Sequence, residues 1–260
     1  MKCSDIIACL EQHSPRMFAE DWDNVGLLAG RKDKEVTSVF LALDASAGLI
    51  DEAIRLEADM IITHHPMIFS PVKRVTDEDF TGARIVKLLR YDISCYAMHT
   101  NFDVMGMADA AADELQLSER AVLDVTYEDE LSCEGIGRTG TLARDMTLAE
   151  CAALVKRAFD VPDVRVYGDL NRTLRRVAVC PGSGRGMTDS ALQRGAEVLI
   201  TGDIDYHTGV DAVAQGLAVI DAGHYGIEKL FIPYMRDFLK RELPSLTVYT
   251  AAIKEPYVTL

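Results

Sequence analysis

Residues 51–63 read DEAIRLEADMIIT, and residues 189–201 read DSALQRGAEVLIT. The two stretches align without a gap at an offset of 138 (189 minus 51), and at the same offset the apolar run 39–44 falls on the run 177–182. Each copy therefore predicts a strand, an amphipathic helix and a second strand. Alternating strands and helices are typical of α/β folds with mainly parallel sheets covered by helices. We interpret the chain as two similar lobes that arose by internal duplication.

A further helix and strand follow in each copy, ending at His99 in the first and at His224 in the second. The offset there is 125 (224 minus 99), because the first copy contains a longer polar segment at 70–80 that predicts a loop. We expect a first lobe at 1–126 and a second lobe at 127–260. The C-terminal helix and strand of the second lobe are free to pack back on the first.

The composition restricts the class of partner. The chain has 260 residues, is 48% hydrophobic and carries a formal net charge of −14, which disfavours binding nucleic acid through its general surface. The six cysteines form no C-x-x-C pair and are interpreted as small buried hydrophobic residues. No secretory h-region precedes the first helix, and no apolar run approaches about 18 residues. We expect a cytoplasmic protein without a membrane segment.

Candidate metal ligands follow three of the apolar runs. They are His64 and His65 after MIIT, His99 and Asp103 after ISCYA, and His224 and Glu228 after LAVI. α/β proteins build their sites at the carboxyl ends of strands, so we expect these side chains to converge. Neighbouring side chains of an extended segment point in opposite directions, so His64 and His65 are better placed to reach two adjacent ions than to share one.

The three segments differ in the role that we expect of each. His224 and Glu228 share one face of a predicted helix start, and a carboxylate can bridge two cations. Asp103 is the better ligand of its segment, with His99 as an outer or substrate-facing group. Any one pair alone also fits an exposed polar pair, but three together favour a metal centre. Imidazole and carboxylate without thiolate suit two divalent ions of Zn, Mn, Fe or Co.

Three further features are weaker. The segment Trp22-Asp23-Asn24 fits either a pocket wall or a capped turn with an aromatic plug. The run at 181–186, PGSGRG, resembles a phosphate-cradling turn but lacks the order of a nucleotide P-loop. In the second copy Gly202 and Asp203 replace the histidine pair, which predicts a polar rim without ligands.

Four motifs together resemble the NIF-three-like family, whose members are often labelled GTP cyclohydrolase 1 type 2 homologs. They are WDNVGL at 22–27, THHP at 63–66, HTNFD at 99–103 and GHYGIE at 223–228, and the resemblance runs from Asp5 to Ala252. The resemblance implies two similar α/β lobes, a dinuclear metal site and a ring-shaped homohexamer made of trimers. Carried over by position, the ligands fall on His64, His65, Asp103, His224 and Glu228. Longer members carry an inserted domain, for which the segment 127–162 leaves no room.

Two classes of function fit this site. The first is a dinuclear-metal-dependent hydrolase of GTP, another nucleotide or a phosphorylated small molecule, with Glu228 as a catalytic carboxylate and His99 as a proton shuttle. The second is a non-catalytic metal-binding or regulatory scaffold or adaptor. The net charge opposes an anionic substrate unless the ions and groups such as Arg185 offset it.

Overall fold

The computed structural model describes residues 1–258 and divides into two units, each containing one sheet. The first unit comprises Met1–Phe102 and Phe231–Ile253, and the second comprises Asp103–Leu230 with the described residues from Lys254 onward. This division differs from the predicted boundary after residue 126. Residues 103–126 belong to the second unit, because they include most of a strand, Ser118–Glu128, that pairs with the strand Cys133–Thr147 of that unit.

The first part of the chain alternates helices and strands. Its elements are α1 (Cys3–His13), a single 3-10 turn (Arg16–Phe18), β1 (Gly26–Ala29), β2 (Ser38–Ala42), α2 (Ala47–Arg55), β3 (Met60–Thr63), α3 (Phe80–Arg90), β4 (Ser94–Ala97) and α4 (Thr100–Phe102). The predicted loop at 70–80 is exposed along its whole length and ends where α3 begins.

The second unit begins with a π-helical turn (Asp103–Met107). It continues with α5 (Ala108–Glu114), β5 (Ser118–Glu128), β6 (Cys133–Thr147), α6 (Leu148–Ala158), β7 (Arg165–Tyr167), β8 (Thr173–Ser183), α7 (Met187–Gln193), β9 (Val198–Gly202), α8 (Tyr206–Ala214), β10 (Ala218–Asp221) and α9 (His224–Glu228). The chain then returns to the first unit with α10 (Phe231–Glu242) and β11 (Thr247–Thr250). None of the helices within residues 1–258 is long and apolar enough to cross a bilayer.

The first sheet is mainly parallel, as predicted. Its strand order is β1-β4-β3-β2-β11, and only the β1/β4 pair is antiparallel. Every residue of β2, β3 and β4 is buried, which is the pattern of central parallel strands covered on both faces. Side chains such as Phe40, Ile61 and Cys95 form the core, and each large one contributes about 1.5–3 kcal/mol by burial.

The second sheet is mixed. Its strand order is β5-β6-β8-β9-β10-β7, with parallel pairs only at β8/β9 and β9/β10. It is more antiparallel than expected because β5 and β6 form a long antiparallel pair and β7 closes the other edge. Alternate residues of β8 and β9 enter two separate cores, Val179 and Ile200 in one and Ala178 and Leu199 in the other. The prediction of an α/β fold with helix-covered sheets is therefore confirmed.

The strand pairing confirms the internal duplication. β2 pairs with β3 in parallel with Val39 opposite Met60, and β8 pairs with β9 in parallel with Val177 opposite Val198. Both positions increase by the same 138 residues between the copies. The helix between the strands is followed in both copies by a residue of positive φ, Glu57 at 52° and its counterpart Gly195 at 70°.

The ends of the parallel strands are aligned within each unit, which positions the residues that follow them. Ala97 of β4 lies opposite Thr63 of β3, and Asp221 of β10 lies opposite Thr201 of β9. The strands themselves are thus offset by 124 residues (221 minus 97), so one extra residue precedes His224.

Candidate metal site

Three histidines converge in the first unit. His64 and His65 directly follow β3, and His99 follows its parallel neighbour β4. One ring nitrogen of each lies within 4.8 Å of a ring nitrogen of the others. His64 is fully buried, and the other two are partly buried. The expected convergence at the carboxyl ends of the strands is therefore present for these residues.

Each of the three imidazoles is oriented by an oxygen at its Nδ1 atom. His64 Nδ1 lies 2.8 Å from the Met98 carbonyl oxygen, His65 Nδ1 lies 2.8 Å from Asp44 Oδ1, and His99 Nδ1 lies 2.9 Å from Asp23 Oδ1. An oxygen acceptor at Nδ1 favours the neutral tautomer that carries its proton there, with the lone pair on Nε2. This is the arrangement that metal-binding histidines adopt.

Asp23 shows that the segment Trp22-Asp23-Asn24 forms a capped turn. Its buried carboxylate also accepts hydrogen bonds from the backbone N–H and the hydroxyl of Thr100, and so caps α4. Burial alone raises the pKa of Asp23, but the hydrogen bonds from His99 and Thr100 outweigh it and lower the pKa to about 2. The carboxylate is therefore ionised and fixes the His99 ring.

Trp22 lies beside the same histidine, with its ring centroid 5.9 Å from that of His99 and 5.9 Å from that of Phe69. The indole is 58% exposed, so it is an open aromatic surface next to the histidines rather than a buried plug. The capped turn is thus present, and the indole is an exposed neighbour of His99.

A second group of candidate ligands lies in the second unit. His224 begins α9, and its Nε2 atom lies 2.9 Å from Glu228 Oε2, one helical turn later. Its Nδ1 atom lies 2.8 Å from Asp203 Oδ2. Glu228 is only 2% exposed. The predicted pairing of His224 and Glu228 on one helical face is present in the structure.

Asp203 has a more specific role than the polar rim expected of it. It occupies the position that corresponds to His65 in the first copy, and it orients His224 as Asp44 orients His65. Where the first copy has a histidine, the second copy therefore has a carboxylate that orients the histidine of the next segment.

Asp103 is the first residue of the second unit, rather than part of the first lobe as predicted. It opens the π-helical turn, a feature that is frequent at functional sites. Burial raises the pKa of the Cys180 thiol, and the carboxylates of Asp103 and Glu228 raise it further. Asp103 and Glu228 therefore both lie close enough to Cys180 in this unit to act on its thiol. Their assignment with the histidines to one set of ligands stays a prediction.

Sequence reasoning missed Asp44 and did not assign Asp203 its role. The only available signal was that each aspartate closely follows a strand that runs parallel to its neighbour, Asp44 after β2 and Asp203 after β9. The turn at 181–186 also has a role that was not expected. Gly182 has a φ of 72°, and a Cβ atom there would overlap Glu228 Oε1, so this glycine makes room for the carboxylate.

Comparison with known proteins identifies relatives over the whole chain. A protein of Clostridium perfringens named GTP cyclohydrolase 1 type 2 homolog is 35% identical over 247 residues, covering 94% of each chain. A protein of the same name from Clostridium acetobutylicum is 34% identical, covering 96% of this chain and 94% of the relative. The alignment with the Bacillus subtilis relative spans 346 residues, more than the 260 of this chain, so that relative contains additional sequence.

Solved structures share the fold. A Bacillus cereus protein related to NIF3 superposes with a TM-score of 0.90 at 25% identity, covering 100% of this chain and 99% of the other. A Staphylococcus aureus protein superposes with a TM-score of 0.89 at 30% identity and the same coverage. A model of the family Duf34/NIF3 (NGG1p interacting factor 3) matches residues 1–256. The chain therefore belongs to the Duf34/NIF3 family, as its four motifs indicated.

Proposed function

We propose that this protein is a hydrolase that uses two divalent metal ions and acts on a phosphorylated small molecule such as a purine nucleotide. The ligands in this proposal are those expected from the sequence: His64, His65, Asp103, His224 and Glu228. One observation carries it. Three of these ligands, His64, His65 and His224, each have an oxygen acceptor 2.8 Å from Nδ1, which leaves Nε2 to bind a cation.

The donor set suits Lewis-acid chemistry. Imidazole nitrogens and carboxylate oxygens suit Zn, Mn, Fe or Co, and no thiolate takes part in the groups of candidate ligands among residues 1–258. When bound in pairs, such ions polarise a phosphoryl or carbonyl oxygen and lower the pKa of a water molecule. The chain's own contribution is to orient the ligands.

His99 is suited to carry a proton during the reaction. Its Nδ1–H donates to the buried Asp23 carboxylate, so a proton accepted at Nε2 produces an imidazolium that Asp23 stabilises. A histidine–aspartate pair of this kind keeps the ring in one tautomer and orientation. This role differs from that of His64, whose Nδ1 partner is a neutral carbonyl oxygen that stabilises a positive charge less.

The names of the relatives support a nucleotide substrate. Proteins about one third identical to this chain carry the name GTP cyclohydrolase 1 type 2 homolog. The alternative is that the chain binds metal without catalysis, as a scaffold or regulatory protein. The two differ in one respect: a scaffold binds the ions but accelerates no reaction.

The test is hydrolysis by metal-loaded protein, with Mn, Zn, Fe or Co supplied separately. Ring opening of GTP and phosphate release from a panel of phosphate esters are followed for the wild type and for Glu228→Ala. His207→Ala is a matched control, since His207 is an exposed histidine outside the candidate groups. The proposal requires activity in the wild type and the control, and its loss in Glu228→Ala. Equal activity of the wild type and Glu228→Ala on every substrate leaves the scaffold as the function.

The family resemblance also leads us to propose a homohexamer built from trimers. Light scattering at micromolar concentration measures its mass directly. A hexamer of this chain has about six times the mass of 28.6 kDa, and a monomeric mass contradicts the proposal.

A further inference from the structure

A cavity of about 910 Å³ lies beside His65 in the first unit. Its wall is formed by the residues after β2, by the exposed segment that follows the histidine pair, and by the beginning of α3. This volume is typical of sites that enclose small organic ligands. The cavity therefore brings a binding space of suitable size to one of the candidate metal ligands.

The cavity wall contains three cations: Lys73, Arg74 and Arg84. Acidic residues outnumber basic ones in this chain by 41 to 27, so there are more carboxylates than cations for ion pairing. Yet none of these three forms an ion pair with a carboxylate of residues 1–258. The Nε–H group of Arg84 is also buried without an acceptor in the described part of the chain. A buried guanidinium N–H that no protein group satisfies is able to donate to a ligand bound beside it.

The acidic residues of the wall are engaged elsewhere. Asp44 binds His65 Nδ1 at 2.8 Å, and Asp79 accepts a hydrogen bond of 2.8 Å from the Gly82 N–H as the cap of α3. The wall also includes Ser46, the residue that caps the N-terminus of α2, and the first turn of α2 contains no acidic residue. The positive end of that helix dipole adds to the attraction for an anion.

The same cavity has an apolar side. Met67, Phe69 and Phe80 line it, and the two phenylalanine side chains are 60% and 72% exposed. The Arg84 guanidinium lies over the Phe80 ring at 5.1 Å from its centroid. In this arrangement the guanidinium can bind an anionic group, and the aromatic ring can pack against a planar organic group of the same ligand.

We infer that this cavity binds the phosphate group of a small phosphate ester through Lys73, Arg74 and Arg84, with the organic body of the ester against Phe69 and Phe80. The ligand is the substrate in so far as the proposed hydrolase function holds, because His65 lies in the cavity wall. Phosphate recognition by the three cations does not itself require the metal ions. The exposed segment at 70–80, which the second copy lacks, thus supplies specificity to the first copy.

The experiment measures binding of phenyl phosphate and inorganic phosphate to the full chain by calorimetry, after metal ions are removed with a chelator. The variants are Lys73→Ala, Arg74→Ala and Arg84→Ala. Arg90→Ala is the matched control, an arginine of the same helix α3 that lies outside the cavity. Lys73 and Arg74 lie on an exposed segment, so their removal leaves the folded core intact even where Arg84→Ala lowers the stability.

We expect the wild type and Arg90→Ala to bind phenyl phosphate more tightly than inorganic phosphate. Each of the three cavity variants loses about tenfold or more in affinity, as removal of a charged hydrogen-bond donor does. Affinity also falls as salt is raised, because the contacts are ionic. The inference is overturned if metal-free wild type does not bind phenyl phosphate, or if the cavity variants bind it like the control. If the protein binds phenyl phosphate but hydrolyses no substrate, the proposed hydrolase function is contradicted and this binding site is supported. If hydrolysis is unchanged in all three cavity variants, the binding site is contradicted and the hydrolase function is supported.

Discussion

Asp59 and Glu197 are 138 residues apart and hold the same place in the two copies. Asp59 Oδ2 accepts hydrogen bonds from the backbone N–H groups of residues 37 and 38, at 2.8 and 3.2 Å. Glu197 Oε2 accepts hydrogen bonds from those of residues 175 and 176, at 2.7 and 2.9 Å. Each carboxylate stands before the second strand of its copy and binds the beginning of the first. The duplication therefore preserves a tertiary contact as well as a pattern of elements.

Removal of either carboxylate should lower the free energy of unfolding. Asp59→Ala and Glu197→Ala each leave backbone N–H groups without their charged acceptor, and we expect a loss of about 1.5–3 kcal/mol. Urea denaturation at neutral pH measures the effect. Asp33→Ala is the control, since its carboxylate is 77% exposed and lies 3.6 Å from Arg31 in a surface ion pair. A change in both variants no larger than that of the control contradicts the structural role.

The contribution of Asp59 should depend on pH. Burial raises its pKa, but hydrogen bonds from Thr37 and Ser38 outweigh burial and hold the pKa below its usual value. A group whose pKa is lowered by folding stabilises the folded state above its unfolded pKa, about 3.9, and this contribution is lost as pH falls through the folded value. The difference in stability between wild type and Asp59→Ala should thus be constant from pH 7 to about 5 and shrink below pH 4. A difference that grows on acidification contradicts this sign.

Metal content should depend on the proposed ligands His64 and Glu228. Elemental analysis of metal-loaded wild type should give about two equivalents per chain, the content of a dinuclear site. His64→Ala and Glu228→Ala should each reduce it, because each removes a buried donor. His207→Ala should retain the wild-type content. Unchanged stoichiometry in both ligand variants would rule out the assignment.

The aspartates that orient the histidines should affect metal affinity without serving as ligands. Asp44→Ala removes the acceptor of His65 Nδ1, and we expect a loss of about 10–100-fold in affinity, as for other partners of metal-binding histidines. The matched control is Asp51→Ala, since both side chains are 56% exposed and Asp51 forms a surface ion pair with Lys87. Competition with a chelator measures the affinity. Equal affinities in the two variants would show that the contact of Asp44 with His65 has no such role.

Alanine substitutions at two glycines of the same turn distinguish the effect of backbone strain from an effect on Glu228. Gly182 and Gly186 both have positive φ, 72° and 85°, so alanine at either position costs about 1–2 kcal/mol. A Cβ atom at Gly182 also overlaps Glu228 Oε1, whereas one at Gly186 meets no atom within 4 Å. Gly182→Ala should therefore lose metal binding as well as stability, and Gly186→Ala should lose stability alone. Equal metal affinity in these variants would show that Glu228 tolerates displacement.

The sequence alone determined the framework of this protein. Apolar runs of four to six residues alternate with amphipathic stretches. Local backbone geometry sets the periodicity of each, so this periodicity can be recognised in the sequence alone. The repeat at an offset of 138 then placed His64 and His65 after one strand and predicted the strand that follows. The spacing of His224 and Glu228 was equally local, since residues four apart on a helix share a face.

Only the tertiary structure decided which groups surround those histidines. Asp44 lies 21 residues from His65 in sequence and Asp23 lies 76 residues from His99, and no periodicity links such pairs. The mixed second sheet likewise depends on pairing between distant strands such as β7 and β10. Lys73 and Arg74 have no sequence signature either, because a lysine and an arginine in an exposed loop do not differ in sequence from ordinary surface residues, whereas the fold places them in the cavity wall with His65. Contacts of this kind arise from the packing of whole elements, so their physical origin is absent from any short stretch of the chain.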